Sequence, residues 1–192
     1  AKFGKGDWTV LEADESDGSF LKLPINYSII TNIDNEHLDF YKSFEKLEKS
    51  FIKFINKTPP IGKSFICLDD KNIQKIVKKL KTKNYLTYGF NKKADYQIFN
   101  VKYKSHQTMF DLKIKKINKK IGILKNIKIN LIGSYNVQNT AAAVSICLKL
   151  GLKQNKIKKA LSNFSGVQRR MTKIFEKNKN EFFDDYAHHP TE

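Results

Sequence analysis

"KSFICLDDKNIQKIVKKL" (residues 63–80) decides the fold class. Its first half is a short apolar run of the kind that forms a buried strand. Its second half places Ile73, Ile76, Val77 and Leu80 on one stripe of helical period, and Asp70 stands where a helix N-cap belongs. The same order appears just upstream. "YSIITNI" (residues 27–33) predicts a strand, and Phe44, Leu47, Phe51, Phe54 and Ile55 form the stripe of a helix that starts behind Ser43 and stops before Pro59. A further strand is predicted over "WTVLEAD" (residues 8–14). Strand and helix in alternation imply an α/β fold with a mostly parallel sheet flanked by helices.

Beyond residue 85 the pattern changes to short alternating runs, "LTYGF", "YQIFNVKY", "MFDLKI" and "IKINLIG", between Lys- and Asn-rich turns. These predict added antiparallel strands. Helix returns in "NVQNTAAAVSICLKLG", with Val137, Ala141, Val144 and Leu148 on one face and Gly151 as the stop. A last helix carries Ile157, Ala160, Leu161 and Phe164, and "SGVQRRMTKIFEKNKNEFFDDYAHHPTE" reads as a linker and a β-hairpin.

Composition narrows the function. The chain has 192 residues, 40% of them hydrophobic, enough for one ordinary core and a smaller appendage. No apolar run approaches the length of a membrane span, and the N-terminus lacks a signal-peptide core, so a cytoplasmic location is expected. Cys67 and Cys147 lie in apolar runs without a CxxC partner, as buried reduced thiols do. The net charge of +17 raises the alternative of a non-catalytic basic module that binds nucleic acid through lysines between Lys92 and Lys128. Against it, only Arg169 and Arg170 are arginine among 36 basic residues, the lysines are spread along the whole chain, and no aromatic repeat interleaves them.

One basic chain therefore holds an unusual acidic stretch, "EADESDGSFLKLPINYSIITNIDNEHLDFY" (residues 12–41). Glu12 and Asp14 are predicted at the end of one strand, and Asn32 and His37 just past another. The carboxyl ends of parallel strands are where open α/β sheets bind ligands. A carboxylate and an imidazole there suit a divalent cation beside a phosphate-bearing ligand, while helix caps and solvated loops account for the same acids without one.

The ordered stretches "EADESDGSF", "TNIDNEHLDFY", "GSYNVQNTAAAV", "GVQRRM" and "DDYAHHPTE" resemble the Mur ligases across nearly the whole chain. Within that family the resemblance is strongest to the branch that joins L-alanine to UDP-N-acetylmuramate, with the ligase that recycles murein tripeptide as the alternative. The resemblance implies ATP-driven amide formation through an acyl phosphate. It implies one Mg²⁺ held by Glu12 and a second held near the acyl phosphate with the help of His37, adenine read by Asn136 and Asn139 with Tyr135 packing beside it, and ATP phosphates gripped by Arg170. Asp185 would contact the nucleotide across a cleft that His188 and His189 line.

Two positions depart from the family pattern: Tyr135 replaces a common histidine, and Glu36 replaces an aspartate before His37. No glycine-rich G-K-T or G-K-S loop joins a strand to a helix here. By the resemblance that phosphate cradle precedes Ala1. Residues 1–167 are then the central ATP-binding domain without its phosphate loop, residues 168–192 open a C-terminal α/β domain, and the chain alone is expected to lack turnover.

Overall fold

The computed structural model describes residues 4–117 and 120–187. The chain divides into two compact units, Ala1–Tyr88 and Gly89–Glu192.

In the first unit, β1 (Tyr27–Ile30) pairs in parallel with β2 (Lys63–Cys67), and β2 pairs in parallel with β3 (Tyr85–Gly89). The short helix α1 (Leu38–Tyr41) and the longer α2 (Phe44–Asn56) follow β1, and α3 (Lys71–Val77) follows β2. Both predicted caps form. The Ser43 side chain accepts from the Lys46 N–H at 3.3 Å, and the Asp70 carboxylate accepts from the Ile73 N–H at 2.6 Å. Leu47, Phe51, Phe54 and Ile55 bury the inner face of α2, and Phe65 and Ile66 are fully buried in β2. Each such side chain contributes roughly 1.5–3 kcal/mol. Polar groups between β1 and β2 are paired: Ser28 Oγ donates to Ser64 Oγ at 2.9 Å, and Ser64 Oγ lies 2.8 Å from Thr58 Oγ1. Gly62 is required where the chain enters β2, because a Cβ there would lie 1.5 Å from the Asn26 carbonyl oxygen.

Two sequence expectations fail in this unit. Residues 8–14 form no strand. The run has strand propensity but neither a ladder partner nor cover: Val10 is 93% exposed and Leu11 59%, and Trp8 lies edge-on to Tyr27 at 5.6 Å. "LTYGF" belongs to the parallel set, in register Ser64↔Tyr85 to Cys67↔Tyr88. A crossover through α3 brings the chain back parallel, and the polar side chains that suggest a half-exposed strand are in fact inside: Tyr88 is fully buried, with its hydroxyl donating to the Ile30 carbonyl.

The second unit holds the antiparallel strands β4 (Tyr96–Lys104), β5 (Gln107–Ile117) and β6 (Lys120–Ile129), then α4 (Ser134–Lys149) and α5 (Gln154–Ser162). A hairpin of β7 (Thr172–Lys177) and β8 (Asn180–Asp184) closes it, as expected. Val137, Ala141 and Val144 are buried on the predicted face of α4. In α5 only Ile157 is buried; Phe164 lies past the helix end and is 44% exposed. Ladders β4–β5 and β5–β6 are each broken by irregularities that flank Asp111 on β5 or its partners. The Asp111 side chain, 6% exposed, bridges them: Oδ2 accepts from Asn100 Nδ2 at 2.9 Å, and Oδ1 accepts from the Asn126 N–H at 2.7 Å. Asn100 and Asn126 both have left-handed backbone, φ 53° and 56°.

Neither cysteine is in a disulfide. Cys67 is buried, which pushes its thiol up to about 11, and Cys147 is half-buried. No helix of the described residues is long and apolar enough to cross a membrane.

Candidate functional site

In the first unit, His37 follows the carboxyl end of β1 and serves as N-cap of α1 in a left-handed conformation, φ 55° and ψ 33°. Such a backbone is uncommon outside glycine. Nε2 lies 3.6 Å from Glu15 Oε1 and 3.6 Å from Glu36 Oε2, with all three side chains about one-third exposed. Their ligand atoms fall within 4.8 Å of one another. One nitrogen and carboxylate oxygens are a donor set that suits a divalent cation.

The other acids of the stretch have local duties. Asp14 accepts from the Ser16 N–H at 2.8 Å and Asp17 from the Ser19 N–H at 2.8 Å. The Ser16 backbone bond holds Asp14 below the usual carboxylate range, and the Ser19 hydroxyl and N–H do the same for Asp17. Asp34 accepts from the Asn35 N–H at 2.7 Å. Glu12 is exposed and outside the cluster that Glu15, Glu36 and His37 form.

In the second unit, Asn136 and Arg170 line one cleft of about 320 Å³ with Asn130, Ile132, His106 and Lys173. Asn136 is half-buried in the first turn of α4, its Nδ2 donating to the Ile132 carbonyl at 2.7 Å. Asn139 lies one turn on and exposed, and the Tyr135 ring is 44% exposed. Three residues apart, the two asparagines share a side of the helix.

The Arg170 turn is held from both flanks. Arg169 and Met171 have left-handed backbone, φ 59° and 46°. The Tyr186 N–H donates to the Arg169 carbonyl at 2.8 Å, and the Arg169 guanidinium lies 4.3 Å over the Tyr186 ring. Asp185 Oδ2 accepts from the Met171 N–H at 3.3 Å, and Oδ1 accepts from the Ala187 N–H at 2.9 Å. Asp185 thus fastens the turn that presents Arg170. His188 and His189 lie outside the described residues.

Glu15, His106 and Lys173 are additions that the sequence did not single out. Glu15 sits inside the motif that drew attention to Glu12, three positions on. His106 and Lys173 are one histidine in a turn and one lysine among many, brought together by Glu181, whose Oε1 is 3.5 Å from His106 Nε2 and 2.5 Å from Lys173 Nζ. Nothing local in sequence marks that meeting.

Residues 4–147 match the Mur ligase middle domain. Over its whole length the chain is 53% identical to UDP-N-acetylmuramate–L-alanine ligase of Pelagibacter ubique and 41% identical to that of Agrobacterium fabrum, and it spans 41% of the length of each. Among solved structures, the UDP-N-acetylmuramate–alanine ligase of Thermotoga maritima superposes with a TM-score of 0.75 at 25% identity, covering 93% of this chain and 39% of that one. The fold is shared with a Thermotoga maritima MurF ligase solved in complex with ADP, at a TM-score of 0.65 and 18% identity, over 87% of this chain and 37% of that one. With residues 4–147 matching that middle domain and every residue aligned to relatives of the same name, the chain belongs to the Mur ligase family.

Proposed function

We propose that this chain is the nucleotide- and cation-binding part of a ligase that uses ATP to join L-alanine to UDP-N-acetylmuramate through an acyl phosphate. The observation that carries the reading is the meeting of Asn136 and Arg170 in one cleft. An amide beside a guanidinium is what a nucleotide requires: the carboxamide offers donor and acceptor to a base edge, and the planar guanidinium takes phosphate oxygens in pairs. Family membership and the relatives' names support the choice of substrates.

Each residue has a role in this reading. Arg170 neutralises the transferring phosphoryl group from a turn fastened by Asp185. Asn136 and Asn139 orient the adenine, with the exposed Tyr135 ring packing beside it. Glu12 would hold one Mg²⁺ and His37 a second, with Glu15 and Glu36 completing the donor set around the imidazole. When bound, the cation withdraws charge from crowded phosphate oxygens. Residues 1–167 form the ATP-binding domain in this scheme, and residues 168–192 begin the next.

The chemistry balances as two displacements. A carboxylate oxygen of UDP-N-acetylmuramate attacks the γ-phosphorus and ADP leaves; the neutral L-alanine amine then attacks the acyl carbon and expels phosphate, and the proton it gives up leaves with the phosphate. The complete ligase, given substrate with an ¹⁸O-labelled carboxylate, should release inorganic phosphate carrying one ¹⁸O. Release of unlabelled phosphate would rule out the acyl phosphate. Turnover with murein tripeptide but not with L-alanine would assign the chain to the recycling branch instead.

A further inference from the structure

The acidic turn is built around a tyrosine that no motif singles out. Tyr41 ends α1, four residues past His37, and is 5% exposed. Its hydroxyl donates to the Glu15 carbonyl at 2.5 Å, and the same carbonyl accepts from the Gly18 N–H at 3.0 Å. Gly18 closes the turn with φ 72°, and a Cβ there would lie 3.1 Å from the Phe40 ring and 3.8 Å from the Tyr41 hydroxyl, so the loop is wrapped against this pair. Two residues on, Phe20 is buried against Phe51 and Phe54, with ring centroids 5.4 and 4.9 Å away. The Glu15 main chain is therefore fixed on both sides, and its carboxylate reaches His37 at 3.6 Å.

The geometry points to Tyr41 as the positioning residue of the acidic turn: its hydroxyl fixes the Glu15 carbonyl and so sets the Glu15 carboxylate against His37. Its purpose rests on the cation reading above; the placement itself does not. An ordinary tyrosine phenol is protonated at neutral pH, so the Tyr41 hydroxyl has a proton to donate. Tyr41→Phe removes the one donor and keeps the ring that fills the site.

The test separates placement from purpose. Glu15→Cys and His37→Cys, introduced together, are bridged with bis-methanethiosulfonate reagents of graded length, and the rate with the best-fitting reagent reports how often the two positions meet. With Tyr41 replaced by phenylalanine that rate should fall at least fivefold, while the melting temperature of the Tyr41→Phe chain changes little. In the complete ligase with Glu15 and His37 intact, Tyr41→Phe should raise the Mg²⁺ concentration for half-maximal activity about tenfold and leave the KM for L-alanine unaltered. An unchanged crosslinking rate overturns the role of Tyr41. A slowed rate with an unaltered Mg²⁺ requirement upholds its placement of Glu15 and overturns the cation reading alone.

Discussion

The two turns that carry the candidate chemistry are held by different forces. The acidic turn of the first unit is anchored in a core: Phe20 is buried between aromatic rings of α2, and Tyr41 is buried beneath the loop it binds. The arginine turn of the second unit is held at the surface, by two left-handed residues, one main-chain hydrogen bond, the Asp185 carboxylate on the Met171 N–H and a guanidinium on an exposed ring. The hairpin that supports it stacks Phe175 on Phe182 at 4.2 Å, yet both rings are almost half exposed. A core-anchored turn separates chemistry from stability, because its functional tips can be cut without touching what holds it. A surface-held turn couples them, because the groups that hold it are the neighbours of the group that works.

The largest effect expected from this contrast is at the acidic turn. In the complete ligase, His37→Ala and Glu12→Ala should each lower kcat by about a hundredfold or more, the scale of losing charge stabilisation in a transition state. Neither side chain supports the core, so the melting temperature should move by no more than a few degrees; high Mg²⁺ should rescue part of the rate. Wild-type turnover in either variant removes that residue from cation binding; Glu12 is exposed and lies outside the cluster around His37, so the two variants test separate sites. Steady-state kinetics with calorimetric melting checks both halves of the statement.

Asp111 is a buried pin of the second unit, and breaking it should cost stability and not chemistry. Asp111→Ala leaves the Asn126 N–H and the Asn100 amide without their acceptor, a loss of about 2 kcal/mol for bonds to a charged group. Burial pulls the Asp111 carboxyl upward, but the Asn100 amide and the Asn126 N–H outweigh it and its net position is below the usual range. A folded-state value that is depressed adds stability above the unfolded value of about 3.9 and loses it as pH falls through the folded one. The gap in stability between wild type and Asp111→Ala should therefore be wide at neutral pH and close below about pH 4. A gap that stays constant into acid would show that the carboxylate charge is not what holds the irregular ladders.

What the sequence made legible follows the range of the interactions. Caps at Ser43 and Asp70 and the stripes of α2 and α4 are local, and they are where expected. The strand expected over residues 8–14 depended on a ladder partner that propensity cannot supply, and β3 took its direction from the crossover before it, not from its own alternation. The site shows the same division. Asn136 and Arg170 lie 34 positions apart, and motif resemblance drew attention to both before the fold put them in one cleft. Which glutamate of "EADE" faces His37 is decided by the Gly18 turn, closed on Tyr41, and local sequence carries no mark of it.

At the arginine turn a substitution that keeps charge is the sharper probe. Arg170→Lys retains a cation in the cleft but loses the planar two-pronged grip, so about a tenfold fall in kcat with weaker ATP binding is expected. The flanking anchors are untouched, so stability should hold. Unaltered kinetics in this variant would leave Arg170 a surface cation with no phosphate duty.

The smallest effect belongs to Asn139. Its carboxamide is exposed on α4, one turn beyond Asn136, whose own amide is already engaged with the Ile132 carbonyl. An exposed polar side chain that contributes one hydrogen bond to a ligand is worth about 1 kcal/mol, which corresponds to roughly a fivefold rise in KM. Asn139→Ala should therefore raise the KM for ATP about fivefold, leave the KM for L-alanine within error, and change kcat by less than twofold, since the adenine lies away from the transferring phosphoryl group. Alanine is also the better helix former, so the helix itself should not weaken. Asn136→Ala offers the contrast within one helix: removing an amide that also binds the Ile132 carbonyl should lower the melting temperature as well as ATP affinity. If the two variants lose ATP affinity equally and stability equally, the asparagines act as a structural pair at the start of α4, and the base is read elsewhere.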